Sequence, residues 1–235
     1  MRASKIKLLP KLLLIVLVVL GILWIRATLN NPQIFPINKV QIKVAYQHLD
    51  PQNIQQAIAP FVRASFFKIN VTQIKKSILQ LPWAYAVSIN RVWPNKIVIK
   101  ITEQQAVARW NNNALLNSDA DIFIPNAADL PDDLPYLFGP DDQAGEVWHS
   151  YQQMNKALQT LGLDIKGLGL NSQGCWRLVL NNGINVILGN EAIMKRFYEF
   201  IKAYPKIVGA NGGNVANVDL RYSNGLAIKW KHIKK

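Results

Sequence analysis

Fourteen consecutive residues without a charge, Leu12 to Ile25, stand between Lys11 and Arg26. As a helix that stretch covers only ~21 Å, short of the roughly 30 Å hydrocarbon layer of a bilayer. Extending it from Leu8 to Leu29 supplies the missing length, because Lys11 and Arg26 can carry their charged tips toward the headgroups. Trp24 sits where an interfacial aromatic belongs. The competing reading is a cleaved signal peptide, whose apolar core is typically about 7–15 residues. That reading needs small residues at alternate positions past the core, and Ile25-Arg26-Ala27-Thr28-Leu29-Asn30-Asn31-Pro32 offers no such site. A buried core helix would leave the basic flank unexplained. The expectation is an uncleaved anchor at residues 12–29 behind a basic tail at residues 1–11.

Arg2, Lys5, Lys7 and Lys11 precede the apolar run, whereas only Arg26 and Lys39 follow within fifteen residues. Positive charge stays in the cytoplasm, so the amino terminus is expected inside and the remainder exported. Charge beyond the anchor is segmented. Residues 27–100 hold nine bases against Asp50 alone, residues 101–170 three bases against ten acids, and residues 171–235 ten bases against three acids. This pattern predicts at least two exported modules with different surfaces. The net charge of +13 raises nucleic acid as a partner, but an envelope compartment holds no genomic DNA, and no nucleic-acid partner is expected.

The first exported segment reads as a compact α+β module. Val40, Ile42 and Val44 alternate with Gln41, Lys43 and Ala45, the pattern of a half-buried strand. Asp50-Pro51 is an N-cap with proline in the first turn, and Ile54, Ala57, Ile58, Phe61 and Val62 follow helical spacing. Asn70 with Gln73 resembles a capping pair ahead of the stripe Val71, Ile74, Ile78 and Leu79. Pro82 stops that helix, and strands at about 84–92 and 96–102 flank the turn Trp93-Pro94-Asn95. The order β-α-α-β-β places helices on one face of a small sheet.

After Glu103 short strand-like pieces (107–110, 114–117, 122–125) lie in an Asn/Asp/Pro-rich stretch. A helix is expected at about 145–161, closed by Gly162, and another at about 191–203. Strands at 176–180 and 185–188 are expected to join through a type I′ turn at Asn182-Gly183, and strands at 215–222 and 226–231 through Asn224-Gly225. The whole reads as a mostly antiparallel β domain with two helices.

Chemical constellations are scarce. His48, His149 and His232 lie far apart, and the single Cys175, read as a buried inert thiol in a strand, closes no disulfide; no metal or other cofactor is expected. No G-x-S-x-G or S-x-x-K motif occurs. Gly209-Ala210-Asn211-Gly212-Gly213 matches no phosphate-binding pattern and reads as a flexible connection. Asp129, Asp132, Asp133, Asp141 and Asp142 read as solvated loop charges. The last strand stands out instead: Leu226, Ile228 and Trp230 on one face, Ala227, Lys229 and Lys231 on the other, with nothing after it expected to cover its edge. Such an edge is either guarded, here by Lys229, Lys231, Lys234 and Lys235, or used to accept a strand from a partner.

Ordered strings along the chain resemble the FtsQ/DivIB bacterial cell-division family in its Gram-negative form. They are Leu81-Pro82-Trp83, Trp93-Pro94, Ala108-Arg109-Trp110, Leu134-Pro135-Tyr136-Leu137-Phe138-Gly139-Pro140, Leu188-Gly189, Met194-Lys195-Arg196 and Val218-Asp219-Leu220-Arg221-Tyr222, followed by Gly225 and Trp230. The resemblance implies a POTRA-type module at residues 37–105 and a C-terminal β domain at residues 106–235. It also implies a non-enzymatic inner-membrane scaffold at the division septum. Its implied partners are FtsB and FtsL at the β domain and FtsK at the POTRA module, with FtsW and FtsI as further candidates. By the same resemblance Tyr222, Gly225 and Trp230 match the partner-capturing terminal strands, Arg221 matches a basic residue that contacts an acid of FtsB, and Arg196 joins them as a partner-binding candidate. Ile89 and Arg91, on the middle strand of the POTRA module, match positions tied to recruitment. Ala86 and Asn224 depart from the family pattern, which has a polar residue and a serine there. Two other readings are an envelope enzyme, which lacks a convergent catalytic site, and an outer-membrane assembly chaperone, which lacks a barrel.

Overall fold

The computed structural model describes residues 9–208, 213–222 and 225–231. These belong to two units, residues 1–104 and 105–235. In the first, the apolar run forms a helix, α1 (Leu9–Leu29), whose stretch Leu12–Leu29 is long and apolar enough to cross a membrane and is not buried against protein. Most of the basic tail, residues 1–8, lies outside the described residues.

Beyond α1 come β1 (Lys39–Lys43), α2 (Pro51–Ile58), α3 (Val71–Leu79), β2 (Ala84–Val92) and β3 (Lys96–Glu103). Both expected caps form: Asp50 Oδ1 accepts from the Gln52 N–H at 2.8 Å, and Asn70 Oδ1 from the Gln73 N–H at 3.1 Å. The apolar spacing of α2 and α3 buries Ile54, Ile58, Ile74 and Ile78, and Ile97, Ile99 and Ile101 of β3 are buried as well. Pro60 lacks an N–H to continue the helical bonding after Ala59, so α2 stops before Phe61 and Val62.

The sheet order is β1-β3-β2. The central strand is therefore β3, paired in parallel with β1 (Ile42↔Ile99) and antiparallel with β2 (Ile89↔Ile99). Ile89 and Arg91 lie on an edge strand, which corrects their placement on the middle one. The strand between the two in sequence is not the strand between the two in space, because β1 adds on the far side of β3.

The second unit contains β4 (Ala106–Trp110), β5 (Ala114–Asn117), β6 (Ile122–Phe123), β7 (Tyr136–Phe138), α4 (Ala144–Leu158), β8 (Ile165–Leu170), β9 (Trp176–Leu180), β10 (Asn185–Gly189), α5 (Ile193–Ile207), β11 (Val215–Asp219) and β12 (Ala227–Trp230). They make a nine-stranded sheet in the order β12-β11-β10-β9-β8-β7-β4-β5-β6. Antiparallel pairings predominate, with parallel ones at β4–β7, β7–β8 and β10–β11. Val147, Met154 and Leu158 of α4 and Phe197 and Phe200 of α5 are buried in one core with Leu137, Leu168, Leu178 and Val186 of the sheet.

Several local expectations change. β7 and β8 were not foreseen as strands. In the β9–β10 turn only Gly183 has positive φ (+85°), and its N–H bonds Leu180 O at 2.9 Å, so the turn is not type I′. α5 continues through Pro205 because Tyr204 and Val208 are held in the core, and packing overrides propensity. β11 ends at Asp219, not Tyr222, because the Asp219 carboxylate turns back to accept the Arg221 N–H at 3.0 Å. Cys175 is half-buried and just ahead of β9 rather than within a strand. Asp141 is exposed, as expected of a loop charge, and also accepts the Trp110 indole N–H at 2.7 Å. Asn224, His232, Lys234, Lys235 and residues 209–212 of the glycine-rich run lie outside the described residues.

Candidate protein-interaction site

β12 is the outermost strand of the large sheet and pairs with β11 alone among the described residues. The register Asp219↔Ala227, Val218↔Ile228, Asn217↔Lys229 and Val215↔Trp230 contains a bulge between Val215 and Asn217. The pairing continues with the Lys231 N–H donated to Asn214 O at 2.7 Å. Backbone groups alternate sides along an antiparallel strand. Since Lys231 points at β11, Ala227 and Lys229 do too, and the N–H and C=O groups of Ile228 and Trp230 point outward. The rim therefore offers two donors and two acceptors.

Side chains shape what could use that rim. Leu226 and Ile228 turn inward and pack on the core, whereas Trp230 remains 47% exposed and Tyr222, at the bend after β11, 60% exposed. Between α5 and β12 runs a groove of ≈ 450 Å³, lined on the helix side by Arg196, Phe200 and Ala203 and on the strand side by Gly225, Leu226 and Ile228. It is apolar along its floor and carries Arg196 and Glu199 on its wall.

At one end of the groove two arginines converge. Gly189 closes β10 at φ +87°, and a Cβ there would lie 2.8 Å from Arg196 Nη1 and 3.1 Å from Arg221 Cγ. Only glycine fits this backbone and this contact. Arg196 Nη1 donates to Leu188 O at 3.1 Å, with Glu191 3.9 Å from Nη2. Arg221 donates Nε–H and Nη2–H to the Asp219 carboxylate at 2.7–3.1 Å, using two of a guanidinium's five N–H donors. The hydrogen bonds from Arg221 hold the Asp219 carboxyl below the usual carboxylate range, and the same bonds raise the Arg221 guanidinium. The result is a pre-oriented cation pair beside an open strand, able to meet an acidic side chain on an incoming segment.

Five of the seven candidate residues, Arg196, Arg221, Tyr222, Gly225 and Trp230, thus belong to this one unit, and Arg196 and Gly225 share one groove. Ile89 and Arg91 belong to the other. There Ile89 is half-buried, and Arg91 Nη2 donates to Ile69 O at 2.6 Å. Sequence reasoning did not anticipate the roles of Gly189, Asp219 and Phe200. The string Leu188-Gly189 and the close spacing of Asp219 and Arg221 were the available signals, but neither reveals that a helix and two strands converge.

Comparisons with known proteins agree with this architecture. Residues 35–104 match the model for the POTRA domain, FtsQ-type, and residues 108–221 the model for cell division protein FtsQ/DivIB, C-terminal. Among relatives, the cell division protein FtsQ of Coxiella burnetii is 38% identical over 87% of this chain and 84% of its own length. That of Shewanella oneidensis is 37% identical over 86% and 77%, and that of Allochromatium vinosum 31% identical over 95% and 88%. One apolar helix, a POTRA module and a strand-rich domain follow in the order those matches require, and the chain belongs to the FtsQ/DivIB family of bacterial cell-division proteins.

Proposed function

We propose that this protein is a non-enzymatic, single-pass inner-membrane scaffold of the divisome that captures FtsB, together with FtsL, by strand addition to β12. The amino terminus lies in the cytoplasm and both modules in the periplasm at the septum. The working boundaries are a tail at 1–11, an anchor at 12–29, a POTRA module at 37–105 that receives FtsK through Ile89 and Arg91 on β2, and a capture domain at 106–235. FtsW and FtsI lie further along the same assembly.

The observation that carries this reading is an outermost strand whose outward rim is unpaired among the described residues, beside a groove and two arginines. Magnitudes show why all three belong together. Two donors and two acceptors at about 0.5–1.5 kcal/mol each yield at most about 6 kcal/mol, less than the ~8 kcal/mol of a micromolar complex even before ordering costs. Burying one partner side chain in the groove adds about 1.5–3 kcal/mol, and a charge contact at Arg221 selects the partner. Catalysis then belongs to other proteins of the assembly.

The test is photo-crosslinking in dividing cells from probes placed at Tyr222 and Trp230. FtsB is the expected adduct at both positions. Adducts lacking FtsB in cells that divide normally contradict the assignment.

A further inference from the structure

The POTRA module is tied to the end of α1. Ser65, almost wholly buried, donates its hydroxyl to the Leu29 carbonyl at 2.6 Å, and the Phe66 N–H bonds Phe35 O at 2.9 Å. The apolar stretch Leu12–Leu29 is ~27 Å long as a helix, close to the roughly 30 Å hydrocarbon layer, so Leu29 lies where hydrocarbon meets headgroup. A residue bonded to Leu29 must then sit in the headgroup layer, which is only about 5–8 Å thick. The loop at residues 59–69 is therefore held at the membrane surface by its own contacts.

What that end presents fits such a surface. Phe67 is 41% exposed and stacks edge-on with Phe35. The β2–β3 hairpin tip reaches the same end, since Arg91 bonds Ile69 O and the Asn38 N–H bonds Asn95 O, and at that tip Trp93 is 74% exposed. Arg63 and Lys68, on the loop that carries Phe67, and Arg26, near the end of α1, are exposed, and residues 27–100 contain one acid, Asp50. Aromatics that prefer the interface, interleaved with cations and free of acids, suit anionic headgroups.

We infer that this end of the POTRA module, centred on Arg63, Phe67, Lys68 and Trp93, seats on anionic phospholipid headgroups of the membrane that α1 enters. The seat rests on the anchoring of α1 proposed above. It fixes the module upright, with the Val92 end of β2 at the headgroups and its start about 26 Å farther out along the strand.

The full chain carrying Cys175→Ser is reconstituted into nanodiscs of phosphatidylcholine, with or without phosphatidylglycerol. Single cysteines replace Phe67, Gln80 or Leu17 and carry a fluorophore. Lipids bearing a quencher in the headgroup are expected to quench position 67 and not position 80, more strongly when phosphatidylglycerol is present. R63E with K68E is expected to lower the preference for anionic discs about tenfold, and R63Q with K68Q to lower it less. Equal quenching at positions 67 and 80, or no response to phosphatidylglycerol, overturns the seat while leaving the anchor standing. Failure of an acyl-chain quencher to reach position 17 overturns the anchor and the seat with it.

Discussion

β2 leaves nine residues at the edge of the small sheet and β12 four at the edge of the large one, yet the shorter edge is the better equipped for capture. The difference lies in what the neighbouring side chains already do. Arg91 on β2 ties one N–H to the Ile69 carbonyl of its own module, and Ile89 is half-buried. Beside β12 the aromatic Trp230 faces solvent, and Arg221 is oriented by Asp219 while remaining exposed. An open backbone rim provides affinity to any extended chain, so selectivity has to come from side chains not already committed to the fold.

The sharpest way to break this contrast is a matched pair of substitutions. Trp230→Glu is expected to weaken binding of the FtsB periplasmic segment about 100-fold by isothermal titration, as for a hot-spot residue of ~2–4 kcal/mol. Ile89→Glu should shift the same Kd by less than about threefold. Circular dichroism should show both variants folded; comparable losses from the two would erase the distinction between the edges.

A second pair separates fold from interface within the large unit. Gly189→Ala forces an L-residue into positive φ against two arginines, costing about 1–3 kcal/mol and lowering Tm by about 3–8 °C. At Gly225 nothing lies within 4 Å of an added Cβ, so Gly225→Ala should leave Tm unchanged, and any loss of FtsB binding it causes belongs to the partner's approach. A Tm loss at Gly225 equal to that at Gly189 would assign both glycines to the fold.

The smallest effect concerns pH. The Asp219 carboxyl is held below its ordinary value, so its pairing with Arg221 is fully present above the usual carboxylate range and is lost as pH falls through the depressed value. A shallow fall in stability and FtsB binding is therefore expected only in strong acid, and Asp219→Asn should flatten it. A transition near neutral pH would require a different group.

Much of this was readable because it is local. Asp50, Asn70 and Gly162 mark helix ends by their own chemistry, and Pro82 and the Trp93-Pro94-Asn95 turn bracket β2. β7 was hidden because both its pairings are parallel and long-range, and β8 because its glycines mask a strand that pairs antiparallel with β9 and parallel with β7. Leu137 is the one buried residue of a three-residue strand inside an acidic, proline-rich stretch. In Ile165–Leu170 the two glycines argue against a strand. At Gly167 the reason is tertiary: a Cβ there would lie 3.2 Å from Tyr136 O on the neighbouring strand. The candidate site was legible in the same uneven way. Trp230 and the open strand followed from alternation and position, and Arg196 and Arg221 from resemblance. Their meeting over Gly189 needed α5 and β10 to be brought together in space.

Amide hydrogen exchange at Ile228 and Trp230 tests the account most directly, because those N–H groups face away from β11 while that of Lys229 faces it. Adding the FtsB segment should slow exchange at Ile228 and Trp230 strongly and at Lys229 little. A saturated complex in which both outward amides still exchange at the rate of the unbound protein would show that FtsB is held elsewhere.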